Sequence, residues 1–239
     1  MTSELRIGRA RRLLAAIEKN HSPAAFASSF GLEDMVLLDL ITRDGLAIPS
    51  FMLDTGRLPR ETLDLVARVR KHYGIEVEVF HPWPGAVDGF VEEYGIDGFY
   101  DSVEARKGCC AVRKVEPLRR ALARKKAWVT GLRRDQSGTR SDVVESALDP
   151  VHGLWKFNPL ADWSLEQVRE YLHVNRVPYN PLHDRGYPSL GCEPCTRAVK
   201  PGEHPRAGRW WWEQEGARKE CGLHEKTVPD QENAYKKLI

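Results

Sequence analysis

Nowhere in its 239 residues does the sequence hold the roughly 18 uninterrupted apolar residues that a membrane-spanning helix needs, and its N-terminus lacks the apolar core of a secretory signal. Internal repeats, low-complexity tracts and a clear interdomain linker are also missing. A net charge of +2 falls far short of the concentrated basicity of a nucleic-acid groove. No nucleic-acid or membrane partner is therefore expected, and the protein is expected in the cytoplasm. Cysteine is scarce, with five in the chain, but a composition 41% hydrophobic and 29% charged can fill a sizeable core without disulfides. The Arg-rich opening MTSELRIGRARRLLAAIEKN could pass for a transit peptide. Glu4, Glu18 and the spacing of Leu5, Leu13, Leu14 and Ile17 point instead to a first amphipathic helix.

Behind that helix, short apolar runs alternate with helical ones. AAFASS, IPSFMLD, IEVEVF and AWVTGL read as strands, and EDMVLLDLITR and ETLDLVARVRKHY as helices. SLEQVREYLHV reads as a helix opened by Ser164, with Gln167 as its capping-box partner. The rhythm predicts an α/β fold, a mostly parallel sheet with helices on both faces. From Pro178 the composition turns to Pro, Gly and aromatics, a loop-rich region expected to pack on the sheet domain, and the polar end of the chain reads as a mobile tail. Residues 1–209 are accordingly assigned to the α/β body and 210–239 to a C-terminal segment.

The cysteines are clustered. Cys109 and Cys110 are adjacent in ARKGCCAVRK, and Cys192 and Cys195 form a C-x-x-C in GCEPC. In a reducing compartment two such pairs suggest one four-thiolate metal site, and both zinc and a [4Fe-4S] cluster accept four thiolates. Adjacent side chains diverge, so drawing both onto one ion is harder than giving each its own corner of a cube, and geometry favours the cluster. Arg106, Lys107, Arg113, Lys114 and Arg197 could offset the negative charge. If Cys110 starts a helical turn, Lys114 lies on the same face and could link the metal site to a bound anion.

Cys221, in RKECGLHE, is left over. Arg218, Lys219 and His224 form a setting that favours the nucleophilic thiolate, although an inert surface thiol is the common alternative. If Cys221 acts covalently, no spare thiol on the chain resolves the product, and an external dithiol of the thioredoxin kind is implied.

Candidate anion-binding residues follow successive strands. Ser28, Ser29 and Gly31 in SSFGLED sit where open α/β sheets hold a phosphate against a helix N-terminus, with Glu33 and Asp34 as ordinary first-turn acids. Asp54 to Arg57 in LDTGR either contact a nucleotide or make the turn. In TGLRRDQSGTR, Gly131 permits close backbone approach and Arg133 and Arg134 are available for a phosphate. Arg206 and Arg209 precede Trp210, Trp211 and Trp212, a run better explained by packing than by base stacking.

Taken together, SSFGLED, LDTGR, KGCCAVRK, TGLRRDQS, GCEPC, GRWWWE and ECGLH resemble the assimilatory adenylyl-sulfate (APS) reductases of bacteria, the cluster-bearing branch of the phosphoadenylyl-sulfate reductase family, over residues 24 to 225. The resemblance implies an adenine nucleotide α-hydrolase-like fold, with SSFGLED in place of the S-G-G-x-D-S loop of ATP pyrophosphatases, and a role in sulfate assimilation and cysteine biosynthesis. It implies a [4Fe-4S] cluster on Cys109, Cys110, Cys192 and Cys195, and Cys221 as nucleophile. It further implies sulfate-contacting Lys114, Arg206, Arg209 and His224, APS as substrate and thioredoxin as reductant. Oligomeric state is left open, a homo-oligomer included. Three alternatives stand beside this reading: a reductase of the 3′-phosphorylated nucleotide, a four-cysteine zinc enzyme of RNA modification, and a non-catalytic iron–sulfur binding module.

Overall fold

The computed structural model describes residues 2–137, 140–213 and 221–223. His224 and the rest of the expected tail lie outside the described residues. The first helix, α1 (Ser3–His21), opens on Thr2, whose hydroxyl accepts from Leu5 N–H at 3.4 Å, and carries Glu4 in its first turn and Lys19 and His21 in its last. Then follow β1 (Ala24–Ala27), α2 (Leu32–Arg43), β2 (Ser50–Leu53), α3 (Arg60–Tyr73) and β3 (Glu78–Phe80) in strict alternation.

Next come α4 (Pro84–Tyr94), α5 (Val103–Cys110) and α6 (Glu116–Leu122), with a single wide π turn, Ala111–Val115, joining the last two. The chain returns to the sheet as β4 (Ala127–Val129), forms the hairpin β5 (Ser146–Asp149) and β6 (Leu154–Phe157), and closes with α7 (Leu165–Val174). Ser164 and Gln167 make the expected reciprocal cap: the Ser164 hydroxyl accepts from Gln167 N–H at 3.2 Å and the Gln167 amide oxygen accepts from Ser164 N–H at 3.0 Å.

The strand order is β3-β2-β1-β4-β6-β5, parallel throughout except for β5 against β6. Register is set by alternation along each strand. On one face, Phe26, Met52 and Val129 meet Leu14 and Ile17 of α1, the apolar side of α2, Leu65 and Val69 of α3 and Val168 and Leu172 of α7. On the other, Ala25, Phe51 and Trp128 meet Leu118, Ala121 and Leu122 of α6. Asp39 is the polar exception inside the first core. Buried to 1% exposure, it accepts from the hydroxyls of Tyr73 at 2.8 Å and Tyr171 at 2.7 Å and pairs with Arg43 at 2.9 Å, so its charge is satisfied by three elements at once.

A third apolar group, Phe90, Phe99, Cys192, Cys195 and Trp210, lies outside the sheet layers, between α4, the short 3₁₀ turn Gly98–Tyr100 and the C-terminal loops. Trp210 is wedged there with Arg106 and Arg209 each 4.7 Å from its ring, and Trp212 sits 4.4 Å from Tyr100. The tryptophan run thus packs against helices of the body rather than on the sheet, while Trp211 is 48% exposed.

Candidate functional site

Two cavities adjoin, the first at the carboxyl ends of β1, β2 and β4, the end at which open parallel sheets bind ligands. The larger, about 540 Å³, is lined by Ser28, Ser29 and Gly31 after β1, Thr55 after β2, Lys114 from the π turn, Gly131 after β4, and Arg206, Arg209 and Cys221 from the C-terminal region. Its volume suits a nucleotide. Asp54 is absent from this lining. Its carboxylate accepts from Gly56 N–H at 2.9 Å and faces His81 at 3.7 Å, closing the turn, while Leu53 and Thr55 take the cavity positions beside it. His224 lies outside the described residues.

The β1–α2 loop differs in detail from a free phosphate cradle. Ser29 N–H and Oγ–H both donate to Asp34 Oδ2, at 2.6 and 2.7 Å. Burial of Asp34 raises its carboxyl from the ordinary value to about 6, against the lowering effect of the two Ser29 hydrogen bonds. A Cβ at Gly131 would collide with the same carboxylate and lie 2.9 Å from Glu33 Cβ, so glycine is what lets the β4 end approach α2. Arg133 is not available for a phosphate: buried to 3% exposure, it needs a counter-charge and takes Glu33 at 2.8 Å, with the Trp163 carbonyl at 3.0 Å. Arg134 is paired with Asp162.

The second cavity is small, and all four paired cysteines line it, together with Arg57, Arg106, Arg113 and Lys114. Cys110 ends α5 and opens the π turn that follows, which carries Arg113 and Lys114 inward. Lys114 and Cys192 line both cavities and so form the partition between them. Burial pushes the Cys109 and Cys110 thiols up and Cys195 to about 11. Burial would also raise Cys192, but Lys114, the Thr55 hydroxyl at 3.2 Å, Arg209 and Arg113 together hold it below the usual thiol value. For Lys114 burial acts to deprotonate, and the sulfurs of Cys192, Cys110 and Cys221 more than offset it.

Of the other cations expected to balance the thiolates, Arg113 donates to the Thr55 carbonyl at 2.8 Å and Arg106 pairs with Glu213 at 2.7 Å, both buried. Arg197 turns away to Glu203 at 2.8 Å. Thr55 was read only within the LDTGR turn, and Trp210 only as part of a packing run. Trp210 Nε1 is buried beside Cys192 and Cys195 with no hydrogen-bond partner among the described residues, and only the GRWWWE run hinted at its place.

The donor set fits a four-thiolate metal site: Cys109, Cys110, Cys192 and Cys195 share one small cavity with Arg57, Arg106, Arg113 and Lys114.

Comparison with known proteins agrees with this architecture. A relative from Burkholderia cepacia named adenosine 5′-phosphosulfate reductase is 54% identical over 230 residues, 95% of this chain and 92% of its own. One of the same name from Allochromatium vinosum is 54% identical over 224 residues, 93% of this chain and 87% of its own. Among solved structures, a phosphoadenylyl-sulfate reductase from Candida auris in complex with phosphate superposes with a TM-score of 0.68 at 27% identity, covering 80% of this chain and 90% of that one. A Candida glabrata FMN adenylyltransferase, at TM-score 0.56 and 15% identity over 84% of this chain and 68% of that one, shares the fold, as expected of an adenine nucleotide α-hydrolase-like sheet. The model of the phosphoadenosine phosphosulfate reductase domain matches residues 23–198, and the chain belongs to that family.

Proposed function

We propose that this protein reduces adenosine 5′-phosphosulfate to sulfite and AMP in assimilatory sulfate reduction. The observation that carries the reading is the shared cavity in which the unpaired thiol, Cys221, meets Lys114, Arg206 and Arg209. Cys221 thiolate attacks the sulfur of the substrate. The S–O bond to the phosphate breaks, AMP leaves with that oxygen, and Cys221 carries an S-sulfonate. The three cations neutralise the phosphosulfate, whose charge otherwise repels an anionic nucleophile. His224 is assigned to the same group on the family resemblance.

Thioredoxin supplies the electrons. One of its thiolates attacks Cys221 Sγ and expels sulfite, and its second thiol breaks the mixed disulfide, restoring Cys221 and leaving oxidised thioredoxin. The dithiol's two electrons account for the reduction, so the chain needs no further redox centre.

Cys109, Cys110, Cys192 and Cys195 would hold a [4Fe-4S] cluster, which when bound supplies fixed negative charge and a rigid anchor rather than electrons. Lys114, on the partition, then stands between that charge and the sulfate. The body through residue 209 holds nucleotide and cluster, and residues 210–239 deliver the nucleophile. A cytoplasmic location suits both the free thiols and the reductant. The unphosphorylated nucleotide is favoured over its 3′-phosphorylated form because relatives named for the former reach 54% identity, against 27% for a structure named for the latter. Cys221→Ser should abolish the 35S-labelled adduct formed from APS while leaving the brown chromophore, iron and sulfide content intact. An adduct that survives the substitution refutes the assignment.

A further inference from the structure

The nucleophile shares a tripeptide with a residue that has no reactive chemistry. Cys221 and Leu223 both line the larger cavity, but they pack into different apolar groups. Cys221 lies against the group of Phe90, Phe99, Cys192, Cys195 and Trp210, and Leu223 lies against the group of Phe51 and Trp128 on the sheet and Leu118 on α6. Side chains two apart on an extended chain point the same way; here Gly222, at φ +83°, breaks that alternation and lets them part. The tripeptide therefore spans the cavity between the loop cluster and the sheet.

The floor under Leu223 is built for an apolar side chain. Ala25, Phe51, Leu118, Ala121, Leu122 and Trp128 are all buried to 4% exposure or less, and Leu53 and Leu154 edge the same face. A leucine there removes apolar area from water without making a hydrogen bond, so the interaction is reversible and indifferent to protonation. Cys221 is half-buried in this arrangement. Movement of the tripeptide away from its seat would leave more of that sulfur open to a second protein.

We propose that Leu223 is the positioning residue for Cys221: by seating on the Phe51–Leu118–Trp128 floor it holds the thiol over the phosphosulfate, and by lifting off it exposes the same sulfur to the reductant. This rests on Cys221 being the nucleophile of the proposed reaction. The two half-reactions should then respond oppositely to the strength of the seat, which a residue of purely structural value would not produce.

The test uses the full-length, cluster-loaded protein with Leu223→Ala and the conservative Leu223→Met. First, alkylation of Cys221 by iodoacetamide without nucleotide is followed by peptide mass spectrometry. Truncating a partly buried leucine should speed labelling about tenfold. Second, single-turnover adduct formation from 35S-labelled APS should slow by a similar factor in Leu223→Ala, while sulfite release from the isolated adduct by thioredoxin stays equal or becomes faster. Leu223→Met should lie near the parent in both. Equal alkylation rates in parent and Leu223→Ala, or equal slowing of both half-reactions, overturn the proposal. If no protein forms an adduct, the activity reading fails, yet the alkylation rates still decide whether Leu223 seats the thiol.

Discussion

The carboxylate of Asp34 offers a measurement in which burial and hydrogen bonding compete with opposite signs. Its folded-state value of about 6, against 3.8 in the free side chain, means that the folded protein holds a proton the unfolded chain has released between those pH values. Stability from this group is therefore complete below pH 3.8 and is lost as pH rises to about 6, by roughly 2.2 units or about 3 kcal/mol.

Asp34→Asn removes the titration. It also costs something: Asn Oδ1 can keep both Ser29 donors, but its Nδ2 faces the Gly131 N–H that the carboxylate accepted, a loss of about 1 kcal/mol. The variant should thus be about 1 kcal/mol less stable than the parent near pH 4 and about 1–2 kcal/mol more stable above pH 7. Urea unfolding of both proteins across that range, followed by circular dichroism, gives the difference directly and cancels every group they share. A parent that gains stability relative to the variant as pH rises would show that the Ser29 hydrogen bonds outweigh desolvation, and the reasoning would be wrong.

Two further perturbations test the architecture. Breaking the fully buried Arg106–Glu213 pair with Glu213→Gln should cost about 3–5 kcal/mol in unfolding free energy, while the double change Arg106→Met with Glu213→Leu should recover most of it; a single variant within about 1 kcal/mol of the parent would show the pair is not desolvated as drawn. Gly131→Ala places a Cβ against the Asp34 carboxylate and Glu33, so AMP affinity measured by calorimetry should fall about tenfold with the chromophore unchanged, and an unaltered Kd would deny that β4 must approach α2 so closely.

The strands and helices through β3, and later β4 and α7, were legible because their apolar periods are regular and their ends are marked. The stretches from α4 to α6 and over β5 and β6 were harder. α4 carries Gly85 and Gly89, which weaken a helical reading, and β5, at the edge, and β6 beside it are short, with Leu148 58% and Trp155 42% exposed, so neither shows a buried alternation. The pairing of the cysteines and their common cavity follow from spacing that sequence displays directly. What spacing cannot display is which polar partners are already taken. Ser29 and Arg133 looked free because Asp34 and Glu33 looked like ordinary first-turn acids, and only the folded geometry shows the two acids satisfying them.

The wide turn at Ala111–Val115 has a consequence for sequence drift. It stores a surplus residue between the helix that ends in two cysteines and the helix that seats on the sheet. Removing one residue there would restore ordinary winding and leave the thiols and the leucines in phase, but it would abolish the widened turn that carries Arg113 and Lys114 inward. The length of the spacer is therefore tied to the aim of these two cations rather than to the phase of the helices.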